Sequence, residues 1–288
     1  MPRKNFFKRK DRNKIRRKAR IYKNYTGINT VCCKLCWNFH GIIYCTENYF
    51  RKGKTLNILV TGASKGIGRA IAQELKSYGN LFVSARNAEA LKSIGAKDYC
   101  VCDLSKNPEV LGDFIKKNEI DVLVNNAGEY IYGAIDNMRP DEIERIHKIN
   151  LMAPAYLISC AVGYMKAEKF GRIVNIGSIS GVMGEANASL YSASKAGLLG
   201  LTKALALELA EFNITVNTIN PGWVDTELGI NSIEESEFSK DEIVECIPQR
   251  RFVEPREVAK LVKYLISEDA KGITGQGINL CAGLSVGI

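Results

Sequence analysis

The sequence predicts an α/β fold, with a single doubly wound parallel sheet of about seven strands and helices on both faces. Short apolar runs of strand length alternate with longer amphipathic segments from about residue 55 to the carboxyl end. The first apolar run is followed at once by a glycine-rich turn and a helical pattern. That order of strand, turn and helix is typical of a βαβ unit, in which the strands are parallel.

Composition excludes several classes of protein. The chain has 288 residues, of which 46% are apolar and 25% are charged, as is ordinary for a globular protein. No run approaches 18 uninterrupted apolar residues, so we expect no membrane span. Nine cysteines without a pairing pattern indicate a reduced, intracellular compartment, and we expect a cytoplasmic location.

Charge is divided unevenly along the chain. Residues 1–54 contain 16 Lys and Arg against 2 Asp and Glu, whereas residues 55–288 contain 24 against 29. We therefore divide the chain into a basic amino-terminal extension, residues 1–54, and a mildly acidic domain, residues 55–288. A basic block of this kind is expected to be disordered when free and could hold nucleic acid or an anionic membrane surface.

The extension also contains a near match to a zinc-knuckle. Its candidate ligands are Cys33, Cys36, His40 and Cys45, but the gap before the histidine is one residue too short. Residues encoded by AT-rich codons fill half of the extension, so it could also be upstream sequence read from a wrongly placed start. The favoured interpretation is a disordered or spurious extension, and no metal site is assigned.

The glycine-rich turn predicts a dinucleotide site on a Rossmann-type domain. The strand at residues 56–60 leads into Thr61-Gly-Ala-Ser-Lys-Gly-Ile-Gly68, and a helix follows. Gly62 permits a tight turn, while Gly66 and Gly68 let the backbone approach a pyrophosphate at the helix amino end. The expected contacts of this turn come from Gly62, Ser64, Lys65, Gly66, Ile67 and Gly68.

The second strand, at residues 81–85, ends at Arg86, and none of residues 81–88 is acidic. A guanidinium there can hold a 2′-phosphate, and Lys65 adds a second positive charge, so we expect a preference for NADP(H) over NAD(H). The third strand, at residues 98–103, ends at Asp103 and is followed by Leu104. Asp103 could accept a hydrogen bond from an adenine amine, or it could cap the helix near residues 108–118.

The fourth strand ends in a segment of small and polar residues, Asn125-Asn-Ala-Gly128, which we call the polar floor. A helix predicted over residues 140–151 contains Asn150. Further along, Tyr191 and Lys195 are four residues apart in the first turn of a long helix, which places both side chains on one face. An ammonium ion beside a phenol favours the phenolate, so we expect Lys195 to lower the pKa of Tyr191. A tyrosine with such a pKa can exchange a proton with an alcohol or a carbonyl oxygen.

These three motifs, in this order, resemble the classical short-chain dehydrogenase/reductases over residues 55–288. The resemblance implies a catalytic tetrad of Asn150, Ser178, Tyr191 and Lys195, in which Tyr191 exchanges the proton, Ser178 polarises the substrate oxygen and Lys195 lowers the pKa of Tyr191 and binds the nicotinamide ribose. It implies hydride transfer between C4 of a nicotinamide and a carbonyl carbon. The further cofactor contacts that it implies are Asn126, Ala127, Gly128, Pro221, Gly222, Val224 and Thr226.

The last strand is predicted over residues 273–283. The sequence as a whole, including Ile273-Thr-Gly-Gln-Gly277 in this strand, is most similar to the 3-oxoacyl-[acyl-carrier-protein] reductases. Those enzymes dock an acidic carrier protein on two arginines, and the matching residues in this chain are Lys169 and Phe212. One charge is kept and one is lost, which puts carrier docking in doubt. A reductase of the same family that acts on sugars, polyols, steroids or small ketones remains an alternative.

The resemblance also implies a homotetramer, and residues 227–250 are interpreted as a mobile lid over the substrate. A different class of function remains as the alternative. In it, the basic residues 1–54 bind nucleic acid and the reductase fold serves only as a scaffold.

Overall fold

The computed structural model describes residues 53–234 and 239–286, apart from the side chains of residues 231 and 234. These residues fall within one compact unit, Glu47–Ile288. The basic blocks of the extension and its candidate zinc ligands, Cys33 to Cys45, lie outside the described residues. The domain boundary after residue 54 therefore stays a prediction.

The fold class predicted from the sequence is confirmed, because the described residues form one seven-stranded sheet with every pairing parallel. Its order is β3-β2-β1-β4-β5-β6-β7, so the direction of winding reverses between β1 and β4. The strands are β1 (Asn57–Thr61), β2 (Asn80–Ala85), β3 (Asp98–Val101), β4 (Val122–Asn125), β5 (Gly171–Ile176), β6 (Ile214–Pro221) and β7 (Gly277–Leu280).

Helices connect the strands and cover both faces of the sheet. They are α1 (Gly66–Leu75), α2 (Ala88–Lys92), α3 (Pro108–Asn118), α4 (Pro140–His147), α5 (Ala153–Glu168), α6 (Ser180–Met183), α7 (Ser189–Leu209), α8 (Glu227–Glu234), α9 (Lys240–Cys246) and α10 (Pro255–Leu265). A π-helical segment, Lys148–Met152, joins α4 to α5, and short 3₁₀ turns occupy Ile135–Asn137, Ala210–Phe212 and Glu268–Ala270.

Alternation of side chains along the central strands builds two core layers. Ile58 and Val60 of β1 pack on one face with the apolar sides of α1 and α10, whereas Leu59 packs on the other with α3 and α5. The strands β4, β5 and β6 are buried along their whole length. Burial on both faces is usual for a parallel sheet that helices cover on both sides, and here it includes polar residues such as Asn175 and Asn217.

Two predicted boundaries are wrong. The helix predicted over residues 140–151 ends at His147 and continues as the π-helical segment, because Pro154 has no N–H to bond the carbonyl of Asn150 as an α-helix would require. The last strand, predicted over residues 273–283, is only Gly277–Leu280 and alternates between exposed and half-buried positions. It is the outer strand of the sheet, where one side is left without a pairing partner.

Residues 227–250, predicted as a lid, form α8 and α9, and residues 235–238 between them lie outside the described part of the chain. Mobility of this segment stays a prediction. In the ranges that the structure describes, no helix has the length and apolar character needed to cross a membrane. The same ranges hold no cluster of three or more His, Cys, Asp or Glu side chains suited to a metal ion.

Candidate active site

Most residues predicted from the sequence to form the site lie at or beside the carboxyl ends of β1, β4, β5 and β6, while Arg86 follows β2, and Asp103 and Leu104 follow β3. Parallel strands bring those ends to one edge of the sheet, and ligands of such sheets bind outside that edge where the winding reverses. A buried chain of hydrogen bonds fixes β4 against β5 just below it. Asn125 Nδ2 donates to Asn175 Oδ1 at 2.9 Å, and Asn175 Nδ2 donates to Thr202 Oγ1 of α7 at 2.9 Å.

The glycine turn between β1 and α1 needs its glycines for backbone reasons. Gly62 and Gly66 have φ angles of +66° and +54°, in the left-handed region that favours glycine. A Cβ atom on Gly68 would lie 2.2 Å from the carbonyl oxygen of Gly62. The turn therefore presents bare backbone to the edge of the sheet.

Thr61 ties the glycine turn to the polar floor after β4. Its Oγ1 accepts hydrogen bonds from the backbone N–H groups of Asn126 and Ala127, both at 3.0 Å. The amide of Asn126 donates back to the carbonyls of Thr61 at 2.9 Å and Gly62 at 3.2 Å. The side chain of Asn126, predicted as a cofactor contact, is thus engaged in holding the turn in place.

Asn150 lies in the π-helical segment and is 1% exposed. Its Oδ1 accepts from the backbone N–H of Glu129 at 2.9 Å, and its Nδ2 donates to the Glu129 carbonyl at 2.9 Å and to Ser194 Oγ at 3.1 Å. The Ser194 hydroxyl donates in turn to the carbonyl of Tyr191 at 2.7 Å. Asn150 thereby joins the segment after β4 to the first turn of α7.

Tyr191 and Lys195 share one face of α7, as their spacing predicts. The Lys195 Nζ atom lies 5.7 Å from the centre of the Tyr191 ring. It donates a hydrogen bond to the carbonyl of Ile176, at the end of β5, at 2.9 Å. Lys195 is 5% exposed, so its ammonium group is removed from water.

Burial shifts the pKa values of these two groups in opposite directions. Desolvation raises the pKa of Tyr191 to about 12, although a hydrogen bond from Ser178 acts to lower it. Desolvation lowers the pKa of Lys195 to about 8. The net lowering of the Tyr191 pKa expected from the sequence is not found, because burial of the phenol dominates and the Lys195 ammonium is bonded to the carbonyl of Ile176.

Ser178, two residues beyond β5, belongs to a network that the sequence did not reveal. Its Oγ donates to Ser180 Oγ at 3.1 Å, and Ser180 Oγ donates to Glu185 Oε2 at 2.5 Å. The Tyr130 hydroxyl donates to Glu185 Oε1 at 2.7 Å, and the Tyr130 ring meets Tyr191 edge-on with 4.9 Å between ring centres. No sequence motif singles out Tyr130 or Ser180, and the sequence position of Glu185 does not indicate which side chains it contacts.

The third strand's Asp103 is not a helix cap. Its Oδ1 accepts from the hydroxyl of Ser105 at 2.7 Å and from the Ser105 backbone N–H at 3.0 Å, and Asn107 is the residue that precedes α3. The Ser105 hydroxyl is the main cause that lowers the pKa of Asp103, and the positive charge of Arg86 contributes. Leu104 beside it is half-buried.

Arg86 and Lys65, predicted to read a 2′-phosphate, differ in their contacts. Arg86 is exposed at the end of β2, and its guanidinium makes no hydrogen bond or ion pair with any residue that the structure describes. Lys65 Nζ pairs with Glu227 Oε1 of α8 at 2.8 Å, and both side chains are exposed. An exposed pair of this kind contributes little to stability, so Lys65 can exchange partners at small cost.

The exit from β6 lies against the glycine turn. A Cβ atom on Gly66 would lie 3.4 Å from Thr226 Cγ2. Thr226 Oγ1 accepts from the N–H of Gly229 at 3.1 Å and so anchors the start of α8, while Pro221 ends β6 and Gly222 packs on the backbone of Cys281. Val224 forms an isolated parallel bridge with Val253. The structure thus brings the segment from Pro221 to Thr226 to the same edge of the sheet as Gly62 and Gly66.

Comparison with known proteins identifies the family. Residues 62–285 match the family model described as "Enoyl-(Acyl carrier protein) reductase". The chain belongs to the short-chain dehydrogenase/reductase family. The matched region contains all four residues of the predicted tetrad and begins after the basic extension, so the nucleic-acid hypothesis gains no support from it.

Several short-chain reductases resemble the chain over nearly their whole length. The 3-oxoacyl-[acyl-carrier-protein] reductase FabG of Rickettsia conorii is 38% identical over 238 residues, which cover 81% of this chain and 97% of that protein. A crystal structure of a variant of actinorhodin polyketide ketoreductase with NADPH has a TM-score of 0.76 and 36% identity, and covers 81% of this chain and 98% of that one. The structure of YwfH, an NADPH-dependent reductase involved in bacilysin biosynthesis, has a TM-score of 0.77 and 29% identity, and covers 82% of this chain and 100% of that one.

As a short-chain dehydrogenase/reductase the chain is an oxidoreductase, and its residues fit a dinucleotide. The backbone of the glycine turn leaves room where any Cβ on Gly62 or Gly68 would collide with neighbouring atoms. No side chain caps the amino end of α1, and its first turn holds no acidic residue, so its N–H groups favour an anion there. Lys195, Asn150 and Gly128 lie together beyond β4, since a Cβ on Gly128 would be 3.4 Å from Lys195 Nζ and 3.2 Å from Asn150 Oδ1.

Burial of Lys195 predicts a pH-dependent contribution to stability. Its pKa is about 8 in the folded chain and about 10.4 when unfolded, so the unfolded chain binds the extra proton between these values. Stability contributed by this group therefore rises with pH through that window. Relative to Lys195→Met, the wild type should gain about 2 kcal/mol of unfolding free energy between pH 7 and pH 9.5, measured by urea denaturation.

The matched control is Lys203→Met, since Lys203 is exposed on the same helix. Its difference from the wild type should be the same at both pH values. A difference between wild type and Lys195→Met that does not change with pH would show that Lys195 keeps its ordinary pKa in the folded chain.

Proposed function

We propose that the chain is an NADP(H)-dependent reductase that transfers hydride between a nicotinamide and a carbonyl compound or secondary alcohol. The observation that carries this proposal is the convergence of Asn150, Ser178, Tyr191 and Lys195 at the carboxyl ends of β4 and β5. These are the residues that the family resemblance names as its tetrad. The bound nicotinamide supplies the hydride, and the protein supplies orientation, proton exchange and charge.

Arg86 and Lys65 support a preference for the phosphorylated cofactor. Arg86 has an uncommitted guanidinium beside Asp103, and such a group can bind a 2′-phosphate through two hydrogen bonds. Lys65 needs only to leave an exposed pairing with Glu227 to contribute a second charge. The two solved reductases reported above are, respectively, bound to NADPH and described as NADPH-dependent.

Tyr191 is in the protonated form that a proton donor requires. With a pKa of about 12 its hydroxyl stays protonated at neutral pH and can protonate an oxygen that gains negative charge during reduction. The Ser178 hydroxyl lies beside Tyr191, and it can polarise a substrate oxygen by turning its proton from Ser180 to that oxygen. Lys195, whose pKa is about 8, can hold a positive charge nearby and contact the nicotinamide ribose.

Asn150 acts through positioning in this proposal. Its three hydrogen bonds hold the backbone of Glu129 and the hydroxyl of Ser194, and Ser194 holds the carbonyl of Tyr191. The family resemblance also implies that Asn150 helps to hold a water chain leading from Lys195, and its place beside Gly128 and Lys195 Nζ supports that role. Asn150 thus fixes the place of α7 relative to the polar floor.

Removing the Tyr191 hydroxyl tests the proton donor. Tyr191→Phe should lower kcat for carbonyl reduction by about 10³-fold, while the Kd for NADPH changes by less than about threefold. The control is Tyr264→Phe, because Tyr264 is exposed on α10. Steady-state NADPH oxidation and a fluorescence titration measure the two quantities. Residual activity above a few per cent of wild type would exclude Tyr191 as the proton donor.

Reversing the charge of Arg86 tests the cofactor preference. Arg86→Asp should lower the ratio of kcat/KM for NADPH to kcat/KM for NADH by roughly 100-fold, because a charge-assisted contact to the phosphate is replaced by repulsion. Arg256→Asp provides the control, since Arg256 is exposed in the first turn of α10. An unchanged ratio would mean that Arg86 does not contact the phosphate.

A 3-oxoacyl thioester is the substrate class that the proposal favours, on a carrier protein. The lost charge at Phe212 is partly replaced, because Lys166 Nζ lies 5.1 Å from the centre of the Phe212 ring. Lys169 is exposed at the carboxyl end of α5, and the carbonyl of Lys169 accepts from Asn213 next to Phe212. The positive charges of Lys166 and Lys169 support docking of an acidic carrier on this surface.

The double variant Lys166→Glu with Lys169→Glu tests carrier docking. It should lower kcat/KM for a carrier-bound 3-oxoacyl thioester at least tenfold, because each substitution places like charge against the acidic carrier. The same acyl group on a small thiol bypasses docking and should react within about twofold of the wild-type rate. Equal losses with both substrates would count against docking at this surface.

A homotetramer and a cytoplasmic location complete the proposal. Exposed apolar side chains on the described surface, among them Leu207 of α7 and Val286 after β7, are candidates for burial between subunits. Light scattering of the purified protein measures the oligomeric state directly. A monomer at micromolar concentration would exclude this assembly.

A further inference from the structure

A cluster of Tyr130, Ser180 and Glu185 borders the reacting groups, and the proposed hydride transfer does not use it. Glu185 Oε1 accepts from the Tyr130 hydroxyl at 2.7 Å, and Glu185 Oε2 accepts from Ser180 Oγ at 2.5 Å. Short hydrogen bonds to an ionised carboxylate are the stronger kind. The two anchors hold both oxygens, so the carboxylate cannot turn away from an approaching group without losing a bond.

The carboxylate lies within electrostatic reach of the reacting oxygen. Ser178, which would contact that oxygen, donates to Ser180, so two hydrogen bonds separate Ser178 Oγ from Glu185. Tyr130 provides the second connection, because its ring packs edge-on against Tyr191. Burial first, and the negative charge of Glu185 as a further cause, raise the pKa of Tyr191, which places that charge close to the proton donor.

The nearby cations are already engaged with other groups. Lys195 donates to the Ile176 carbonyl, and Arg145 pairs with Glu129 at 2.6 Å. Neither makes a contact with Glu185 in the structure. A substrate group next to the reacting carbonyl therefore meets a fixed negative charge, and no Lys or Arg among the described residues contacts that carboxylate.

We propose that Glu185 is a specificity-determining residue that rejects free 3-oxo acids and admits their neutral esters and thioesters. In a 3-oxo acid the carboxylate occupies the place of the thioester carbonyl, one carbon from the reacting ketone. Like charges held this close in a partly buried site repel strongly, whereas a thioester carries no charge there. The inference rests on the proposed function, and it explains how the site would distinguish an activated acyl group from the hydrolysed acid.

The test compares 3-oxobutanoate with its methyl ester in wild type and Glu185→Gln, which keeps the shape of the side chain and removes its charge. The ratio of kcat/KM for the acid to kcat/KM for the ester should rise about tenfold or more in Glu185→Gln. Glu119→Gln is the control, because Glu119 precedes β4 at the opposite edge of the sheet, and its ratio should equal that of wild type. An unchanged ratio in Glu185→Gln would overturn the inference.

Tyr130→Phe separates charge from geometry, since it removes one anchor and keeps the carboxylate. Its ratio should stay within about threefold of wild type. A rise as large as that of Glu185→Gln would show that the arrangement, and not the charge, discriminates, which would overturn the inference. Wild type that reduces neither compound would instead refute the proposed function and this inference with it.

Binding gives a second readout that does not depend on turnover. Calorimetry should show that wild type binds methyl 3-hydroxybutanoate at least tenfold more tightly than 3-hydroxybutanoate, and that Glu185→Gln narrows this difference. Equal affinity of wild type for the two compounds would overturn the inference, whatever the reduction rates are.

Discussion

The Thr61 hydroxyl is the junction on which the site depends. It accepts two backbone N–H groups from the segment after β4, while Asn126 donates back to the carbonyls of the glycine turn. The junction joins β1 to β4, the two strands between which the winding of the sheet reverses. Because these hydrogen-bonding groups are buried or half-buried, leaving any of them without a partner would destabilise the folded chain. The bare backbone of Gly62 and Gly68 is held in place by the same contacts.

Burial then sets the chemistry of that edge. Desolvation acts on both members of the Tyr191 and Lys195 pair, and it favours the neutral form of each. A neutral phenol can donate a proton. A lysine with a pKa near 8 can gain or lose its positive charge when its surroundings change. Desolvation of these groups lowers the stability of the folded chain. Such a loss of stability is common at functional sites, and here it falls where the four candidate catalytic residues meet.

Much of the fold follows from local sequence patterns. Apolar runs of strand length, a glycine turn after the first run and regular helical spacing predict the sheet, its parallel direction and the first turn of α7. The π-helical segment around Asn150 was not predicted, because it depends on one missing N–H at Pro154 rather than on periodicity. The short β7 was overestimated, because the sequence does not show where an outer strand loses its pairing.

The candidate site was predictable as a set of residues and only partly as a set of interactions. Spacing and resemblance name Tyr191, Lys195 and Ser178, yet the sign of the Tyr191 pKa shift requires the depth of burial, which no motif records. The same limit applies to Glu185, because its partner Tyr130 lies 55 residues away in the sequence, although its other partner, Ser180, is only five residues away. Asp103 shows the reverse case, where two local roles were compatible with the sequence and the structure excludes the helix cap.

Carbonyl reduction with NADPH at this edge of the sheet can be measured by following NADPH absorbance with the purified chain and a 3-oxoacyl thioester. We expect NADPH oxidation that requires the thioester, saturates with it and yields the 3-hydroxyacyl product in equal amount. Tight binding of NADPH without oxidation, across thioesters, esters and simple ketones, would show that the chain is not a carbonyl reductase. It would leave the chain as a dinucleotide-binding protein whose tetrad performs no reduction.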